Sequence, residues 1–594
     1  MSNAVIYPGS FDPITKGHLD VIERSGKMFD QTTIGVGQNI DKKYLFTFPE
    51  RVHLIQWAIS QKLRETMQIE ITPYSGLLVD FAKEEGVNTI LRGLRNASDL
   101  ESESLLHWVG ESQKLWIDTI YMLTKQDKMH VSSSTAKAIL KEQGQIEDYV
   151  TLNVKHALEA RMMDQYFFWI TGTIGSGKSY VTDQFVQLGE KYNIPVHNID
   201  LDKVGHKILG EYSEPGYVQL RQRLASKFWS GILDAEGFVD RKVLWPIVFN
   251  DPEKRKMLDA EIREYLTLGM RKEIKGKKGI ILLNGALLAE WGLVKFANNN
   301  SLLIDVDPEI QRARLRERGH TDEQVETRIK SQFSTEMKQE AMEKRISEDE
   351  YGNIVHLHNN GNNEAEIEKK FNEMLSAIDI FGALRMKSIF TQLGIEDAFM
   401  EVYTQLKSKY DTPSRVYHDR SHIVDCMNKL YHLKPTMTDE EFQTLFLAFL
   451  FHDVVYESMN KRGTNERQSA VLAAQILTKL WIPEERIAKV CALIEQTATL
   501  SASGDDIISQ YMHDIDVSIL GTSRKEYEFY MKRIRFEYSI YPDKRYIEGR
   551  LRFLKSWENR DIFYTPYFKQ KYEQQARANI QREILILEAK AATS

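Results

Sequence analysis

Two short segments of the sequence carry residue types that handle phosphate. Residues 7–18 follow a β-branched run and lead into a helical pattern, so backbone amides and His18 would lie at the positive end of a helix, which suits an anion. Residues 172–179 follow an apolar run and fit the pattern GxxxxGK[ST], whose amides cradle phosphate. Taken alone, the first segment is also compatible with an ordinary strand-to-helix loop. The second is a much more specific signal.

A third segment has the composition of a metal site. Residues 417–422 place two histidines one helical turn apart, and His452 and Asp453 stand side by side at the end of a very apolar helical pattern. A buried charged pair needs a partner, and a divalent cation bound by imidazole and carboxylate provides one. A single histidine of this kind is more often a packing residue, but the set favours a metal. Asp514 and Asp516 are both available as a further carboxylate.

The patterns around these segments indicate three domains. Up to about residue 163, β-branched runs alternate with helical patterns, which predicts a parallel α/β sheet. A second α/β pattern opens near residue 166 and closes near 377. Beyond residue 379, apolar residues recur at intervals of three and four, as in helices. We therefore expect domains at 1–163, 164–378 and 379–594, two with parallel sheets and the last all helical.

Composition sets limits on the function. The chain has 594 residues, more than one hydrophobic core normally holds. Its 78 basic and 85 acidic residues give 78 − 85 = −7, so the average charge favours neither nucleic acid nor an anionic membrane. The two cysteines form no disulfide framework, the apolar runs are interrupted by polar residues, and the first residues lack the pattern of a signal peptide. We expect a cytoplasmic protein.

Residues 4–160 resemble the phosphopantetheine adenylyltransferases, a family of the TxGH nucleotidyltransferase superfamily. The resemblance rests on the turn at 7–18 and on separated motifs, which are Lys42-Lys43, Glu50-Arg51, Arg92-Gly93-Leu94-Arg95, Asp99, Glu101 and Glu103, and Ser132-Ser133-Ser134. It implies that a substrate phosphate attacks the α-phosphorus of ATP in line, with Mg²⁺ on the leaving pyrophosphate. The residues implied as catalytic are His18, Lys42 and Arg92, and those implied in binding are Ser10, Phe11, Gly17, Arg95, Glu103, Ser132, Ser133 and Ser134.

Some alternatives for this domain stay open. The family usually has a glutamine and an Asn-Arg pair where this chain has Leu105 and Gly110-Glu111, which affects ATP binding and subunit contacts. Another TxGH enzyme, for example one acting on nicotinamide mononucleotide, is one alternative. A degenerate scaffold that oligomerises the chain is a second, and a homo-oligomer through this domain is compatible with the resemblance.

Residues 166–377 resemble dephospho-coenzyme A kinase, in which Lys178 reaches the β and γ phosphates of ATP and Ser179 ligates Mg²⁺. Besides the glycine-rich loop, the resemblance rests on Ile199-Asp200-Leu201-Asp202, Gly205-His206, Glu214-Pro215-Gly216, Leu287-Leu288-Ala289-Glu290, Gln311 and Gln332. It implies that Asp200 orients and deprotonates the ribose 3′-hydroxyl and that Arg314 and Arg318 lie on a lid over ATP. Without the resemblance, we would interpret Asp200 as a turn residue and the two arginines as part of a solvent-exposed helix face. The implied nucleotide-binding residues are Gly172, Gly175, Ser176, Gly177, Ser179, Arg314 and Arg318.

The two resemblances support each other, because adenylyl transfer to 4′-phosphopantetheine makes dephospho-coenzyme A, which the kinase would consume. Two departures from the kinase pattern, Arg263-Glu264 and Ala286, concern substrate contacts.

Residues 384–590 resemble HD-superfamily metal-dependent phosphohydrolases, through the histidine motifs and through Asn465-Glu466, Gly549-Arg550 and Ala576-Arg577-Ala578-Asn579. The resemblance implies that His422, His452, Asp453 and Asp514 hold a divalent metal such as Mn²⁺ or Fe²⁺, and that His418 protonates the leaving oxygen. It does not identify the substrate. A histidine that this subgroup often carries near Thr497 is missing, so a regulatory metal-binding or nucleotide-binding module is the alternative.

Overall fold

The computed structural model describes residues 3–37, 43–249, 251–285, 293–330, 332–361, 363–412, 414–459, 461, 463–499, 501–502, 504, 506–558 and 560–593. They form two compact units. One contains residues 1–133 together with 379–594, and the other contains residues 134–378.

The amino-terminal part of the first unit is built on a five-stranded parallel sheet with the order β3-β2-β1-β4-β5. The strands are β1 (Ala4–Gly9), β2 (Gln31–Gly37), β3 (Gln68–Tyr74), β4 (Thr89–Leu94) and β5 (Asp118–Leu123). The connecting helices are Lys16–Ser25, Phe48–Ala58, Gln61–Thr66, Leu78–Glu84 and Ala97–Glu111. β1 pairs with β2 on one side and β4 on the other, so the chain changes direction across the sheet at the carboxyl end of β1. Open parallel sheets bind ligands at such a point.

The second compact unit has its own five-stranded parallel sheet, with the order β10-β9-β6-β8-β7. The strands are β6 (Gln165–Gly172), β7 (Val196–Asp200), β8 (Gly279–Asn284), β9 (Asn300–Asp305) and β10 (Asn353–His358). Every residue of β6 and of β8 is buried, as expected for strands covered by helices on both faces. β6 lies between β8 and β9, so the glycine-rich loop that follows it opens at the reversal point of this sheet. The prediction of two parallel-sheet α/β domains is confirmed.

The described helices of this unit follow in chain order. They are Ser133–Lys141, Leu152–Leu158, Lys178–Lys191, Leu201–Gly210, Pro215–Phe228, Arg241–Phe249, Pro252–Ile274, Pro308–Glu317, Asp322–Lys330, Thr335–Asp349 and Glu364–Ile378.

The unit begins at Ser134, ahead of the predicted domain boundary at 163/164. Lys155 explains the difference, because its buried ammonium lies 2.8 Å from Glu159 and donates to the carbonyl oxygens of Lys295 and Phe296. His156 likewise contacts the Tyr351 hydroxyl at 2.7 Å. The segment before residue 164 is therefore part of the core of this unit.

Residues 379–594 are helical, with no strand among those the structure describes. The helices are Ala383–Gln392, Phe399–Tyr410, Arg420–Leu433, Asp439–Phe451, Thr464–Lys479, Glu484–Gln496, Ile507–Asp516, Arg524–Glu537, Asp543–Lys555, Pro566–Phe568 and Gln574–Thr593. Asp439–Phe451 is the central helix, since all its residues from Thr444 to Phe451 are buried. The prediction of a helical last third is confirmed. Among the described residues, no helix has the length and apolar character needed to cross a membrane.

Candidate functional sites

The turn after β1 presents a neutral histidine at a helix amino terminus. Thr15 caps the helix Lys16–Ser25, and the cap is reciprocal: the His18 amide donates to Thr15 Oγ1, while His18 Nδ1 accepts the Thr15 amide at 3.0 Å. Burial, with a further contribution from Arg95, lowers the His18 pKa to about 4. A neutral ring that accepts at Nδ1 carries its proton on Nε2. His18 can therefore donate a hydrogen bond to an anion without being charged.

Two other segments hold this turn in place. The Asp12 carboxylate accepts the amides of Leu45 and Phe46 at 3.0 and 2.9 Å. The buried Arg51 guanidinium donates to the carbonyl oxygen of Ser10 at 2.5 Å and to that of Gly37 at 2.9 Å. Sequence reasoning quoted Arg51 within a motif but assigned an individual role neither to it nor to Asp12. Their contacts fix the backbone on both sides of Phe11.

Two of the basic residues predicted for this site, Arg92 and Arg95, are each held by an acidic side chain. Arg92 lies at the carboxyl end of β4 and pairs with Glu103 at 3.0 Å, and Arg95 forms a two-point contact with Asp99. Lys42 lies outside the described residues.

The predicted serines lie on the other side of the same turn. Ser133 donates to the Pro13 carbonyl at 2.8 Å and begins a helix, while Ser132 precedes it and Ser134 is exposed. A methyl group on Gly17 would lie 3.5 Å from the Val131 carbonyl, so the helix start and the serine segment adjoin. Phe11 contacts the His18 ring edge-on, with centroids 5.1 Å apart.

The glycine-rich loop after β6 has the backbone conformation that glycine permits. Gly172, Gly175 and Gly177 all have positive φ. At Gly177 the constraint is also steric, because a Cβ there would lie 2.3 Å from the side-chain nitrogen Nδ2 of Asn359. Lys178 folds over the loop, with its ammonium 3.0 Å from two loop carbonyl oxygens, those of Gly172 and Thr173.

Side chains from distant segments hold this loop. Gln311 donates to the Ile174 carbonyl at 2.7 Å, and Gln332 accepts the Ile174 amide at 3.1 Å. Arg314 donates to the Gly175 carbonyl at 3.3 Å. Asn359 donates to the Ser176 carbonyl at 2.8 Å. The sequence indicated the first three of these side chains but not Asn359.

The remaining predicted residues of this site lie at its edge. Asp200 ends β7 and caps the following helix by accepting the amides of Asp202 and Lys203. Ser179 and Arg318 are both exposed. The residues 286–290, which include the Leu-Leu-Ala-Glu motif and Ala286, lie outside the described residues.

Four side chains of the helical region converge on one point. His422 and His452 approach with their Nε2 atoms 3.1 Å apart. Asp453 Oδ2 lies 3.1 Å from His452 Nε2 and 3.6 Å from His422 Nε2. Asp516 Oδ1 lies 3.2 Å from His422 Nε2 and 3.5 Å from His452 Nε2. Two imidazoles and two carboxylates thus face one another from the start of one helix, the end of a second and the two residues that follow a third.

These groups fit a divalent cation. His452 Nδ1 donates to the Phe449 carbonyl at 2.9 Å, so the lone pair of Nε2 faces the cluster. Asp453 Oδ2 is buried without hydrogen-bond geometry to any part of the chain that is described. An ionised oxygen in that situation is stabilised by a metal ion.

Asp514 points elsewhere. Its carboxylate accepts the amides of Tyr564 and Thr565, each at 2.8 Å, and the Thr565 hydroxyl at 2.7 Å. Its oxygens are therefore occupied in holding residues 564–565, and Asp516 takes its place in the cluster.

His418 lies beside the cluster and is oriented by a carboxylate that the sequence did not reveal. Glu537 Oε2 contacts His418 Nδ1 at 2.6 Å, and Glu537 Oε1 accepts the amides of Val416, Tyr417 and His418. Burial lowers the His418 pKa, but Glu537 outweighs it, so the pKa is raised overall. His418 can thus hold a proton that it could donate.

Two other residues on which the phosphohydrolase resemblance rests have structural roles. Arg550 pairs with the buried Glu583 at 2.8 Å, and Asn579 donates to the carbonyl oxygens of Leu520 and Thr522. Both tie helices of this region together.

Comparisons with known proteins match the two α/β regions. A family model described as cytidylyltransferase-like matches residues 6–139, and one described as dephospho-CoA kinase matches residues 166–351. A phosphopantetheine adenylyltransferase of Clostridium beijerinckii is 43% identical over 145 residues, which are 24% of this chain and 89% of the relative. One from Nautilia profundicola is 41% identical over 150 residues, 25% of this chain and 95% of the relative. A solved dephospho-CoA kinase from Campylobacter jejuni shares 22% identity over 36% of this chain and 98% of its own, with a TM-score of 0.22.

Proposed function

The chain belongs to the phosphopantetheine adenylyltransferase family and also carries a dephospho-CoA kinase domain, and we propose that it performs two successive steps of coenzyme A synthesis. The first transfers AMP from ATP to 4′-phosphopantetheine and releases pyrophosphate. The second phosphorylates the ribose 3′-hydroxyl of the resulting dephospho-coenzyme A with a second ATP. The observation that carries the proposal is that these relatives are matched over 89% and 95% of their own lengths while a kinase model matches a separate region of the same chain.

The geometry of the first site supports adenylyl transfer. In-line attack on the α-phosphorus needs positioning and positive charge more than it needs a nucleophile. His18 offers an Nε2–H donor at the helix amino terminus, where it would stabilise charge that grows on the α-phosphate. Arg92 would neutralise the attacking phosphate, as would Lys42. Ser10 and the Ser132–Ser134 segment would bind the phosphate oxygens.

The geometry of the second site supports phosphoryl transfer from ATP. The loop amides and Lys178 would hold the β and γ phosphates, and Arg314, already against the loop, would cover them. Ser179 would hold Mg²⁺, which neutralises the charge on the phosphates. Asp200, at the carboxyl end of β7, would accept the proton of the ribose hydroxyl.

Product analysis tests both steps. Purified full-length protein with phosphopantetheine, ATP and Mg²⁺ is expected to yield dephospho-coenzyme A first and coenzyme A later, as separated by chromatography. Nicotinamide mononucleotide should not replace phosphopantetheine. A chain that phosphorylates added dephospho-coenzyme A but never makes it from phosphopantetheine would support the degenerate scaffold instead.

For the helical region we propose an HD-type, metal-dependent phosphohydrolase site. His422, His452, Asp453 and Asp516 would hold one divalent cation such as Mn²⁺ or Fe²⁺. The cation would activate water and neutralise a phosphate ester. His418, oriented by Glu537, would hold the proton that the leaving oxygen needs. What supports this proposal is the convergence of two buried imidazoles and two carboxylates on one point.

The two aspartates give a test of this metal site. Asp516→Asn is expected to lower the Mn²⁺ content of the purified chain by about 10-fold or more, because a charged ligand is lost. Asp514→Asn is expected to leave the Mn²⁺ content unchanged but to lower the melting temperature, since it weakens the contacts to Tyr564 and Thr565. Elemental analysis and thermal unfolding separate the two. The reverse pattern would place Asp514 in the site and contradict the assignment.

Turnover distinguishes hydrolysis from regulation. With Mn²⁺, phosphate release from a nucleotide panel should be lost in His452→Ala and Asp453→Ala. Metal and nucleotide binding without any phosphate release by the wild-type chain would favour the regulatory module.

A further inference from the structure

Arg420, which stands between His418 and His422 in the sequence, makes an ion pair with the nucleotidyltransferase region. Its Nη2 donates to Glu50 Oε1 at 2.6 Å, and its Nε donates to Asp411 Oδ1 at 2.6 Å. The side chains of Arg420 and Glu50 are 11% and 13% exposed, so water screens this pair little. Both residues belong to the first compact unit. Neither the metal cluster nor the phosphate chemistry described above uses this contact.

Glu50 links this ion pair to the start of a helix. Its other oxygen, Oε2, accepts the Thr47 amide at 2.9 Å and completes a capping box on the helix Phe48–Ala58. One carboxylate thus holds the helix end with one oxygen and Arg420 with the other. Moving Glu50 would move the first turn of the helix.

The first turn of that helix carries Arg51, which holds the phosphate-binding turn. Arg51 follows Glu50 directly, is fully buried, and donates to the Ser10 carbonyl. Just ahead of the helix, Leu45 and Phe46 give their amides to Asp12. The backbone around Ser10 and Phe11 is therefore fixed by the same short segment that Arg420 holds.

A second polar contact lies next to the first. Ser421 Oγ lies 2.6 Å from His53 Nε2, on the same helix as Glu50. Ser421 Oγ also donates to Asp419, the residue that caps the helix Arg420–Leu433. Aromatic contacts surround the two polar ones, with Phe48 against Phe536 at 5.8 Å between ring centroids. The two contacts thus join the start of the helix Arg420–Leu433 to the first half of the helix Phe48–Ala58.

We propose that Arg420 is a positioning residue for adenylyl transfer in the amino-terminal region. It holds Glu50, and through the helix start and Arg51 it fixes the turn that carries Ser10 and precedes His18. The helical region, whatever its own metal site does, completes the scaffold of the first active site. This inference rests on the proposed adenylyltransferase activity and goes beyond it. The relatives match 145 and 150 residues of this chain, which are 89% and 95% of their own lengths, so they have little chain left for a counterpart of the helical region.

The test uses the full-length chain, and its kinase reaction is the internal control. Arg420→Gln is expected to lower kcat for dephospho-coenzyme A formation by about 10- to 100-fold, as small misplacements of catalytic groups do. The KM for ATP should change by less than about threefold, and phosphorylation of added dephospho-coenzyme A should be unchanged. Arg420→Lys keeps the charge and should recover part of the loss. Arg524→Gln, which removes an exposed arginine of the same helical region that pairs with Glu528, is the matched control.

A second variant shows whether the effect passes through Glu50. Glu50→Gln should lower the same kcat, and the double variant should be no worse than the poorer single variant, because residues that act through one contact are not additive. Wild-type rates in Arg420→Gln, or an equal fall of both activities, would overturn the positioning role. A wild-type chain that makes no dephospho-coenzyme A would instead remove the proposed adenylyltransferase function on which it rests.

Discussion

Lys178→Ala is expected to stop the pathway at dephospho-coenzyme A. The Lys178 ammonium lies over the glycine-rich loop, where it would neutralise charge on the transferred γ-phosphoryl group. Losing such a group costs at least about 10²-fold in rate. Ser10, His18 and Arg92 belong to the other compact unit, so the rate of adenylyl transfer should not change. Dephospho-coenzyme A should therefore accumulate from phosphopantetheine and ATP in a chromatographic time course.

Lys191→Ala is the matched control for this variant. Lys191 lies at the other end of the same helix, is exposed, and pairs with Glu368. It should form coenzyme A at the wild-type rate. Wild-type coenzyme A formation by Lys178→Ala would contradict the kinase assignment, and the absence of both products would contradict the adenylyltransferase.

Local sequence was sufficient to predict the conformation of the two turns proposed to bind phosphate. In residues 172–179, the strand, the positive-φ glycines and the helix start all lie within a few residues of one another, so a single motif specifies them. The same holds for Thr15 and His18, whose reciprocal cap spans three residues. The alternation of strands and helices likewise predicted both sheets, because periodicity is a local property.

Residues supplied from far along the chain were not predictable in this way. Glu537 orients His418 across 119 residues, and Asn359 holds the Ser176 carbonyl across 183. Neither lies in a motif or at a characteristic spacing, and each is placed by tertiary packing. Arg420 and Glu50, which are 370 residues apart, are a further case. A single sequence holds no signal that pairs them.

The choice between Asp514 and Asp516 required the direction in which each side chain leaves the helix. Two residues along a helix differ by about 200° in direction, so the two carboxylates face opposite sides. Both sit in the same apolar pattern, and the sequence left them as alternatives. The structure orients Asp516 to the histidines and Asp514 to Thr565.

His18→Asn is expected to lower kcat for adenylyl transfer by about 10²- to 10³-fold, the range found when a donor to developing negative charge is removed. Its Nε2–H would be that donor in the first site. The measurement is best made in a Lys178→Ala background, where dephospho-coenzyme A is the end product. His107→Asn, which changes a histidine that contacts Thr119 at 3.1 Å, serves as control and should retain full activity.

The pH dependence of adenylyl transfer gives a second, independent test of the role of His18. The His18 pKa of about 4 lies below the ordinary value near 6.5, so the ring is neutral throughout the neutral range. Protonation would place a hydrogen on Nδ1, which now accepts the Thr15 amide, and would open the helix cap. Activity that depends on the neutral ring should persist as the pH falls through 6.5 and decline only towards pH 4. A His18-dependent loss of rate centred near pH 6.5 as the pH falls would show that the ring has its ordinary pKa, and would contradict the lowered one. A loss as the pH rises through 6.5 would show that the charged ring is the active form, and would contradict a neutral donor.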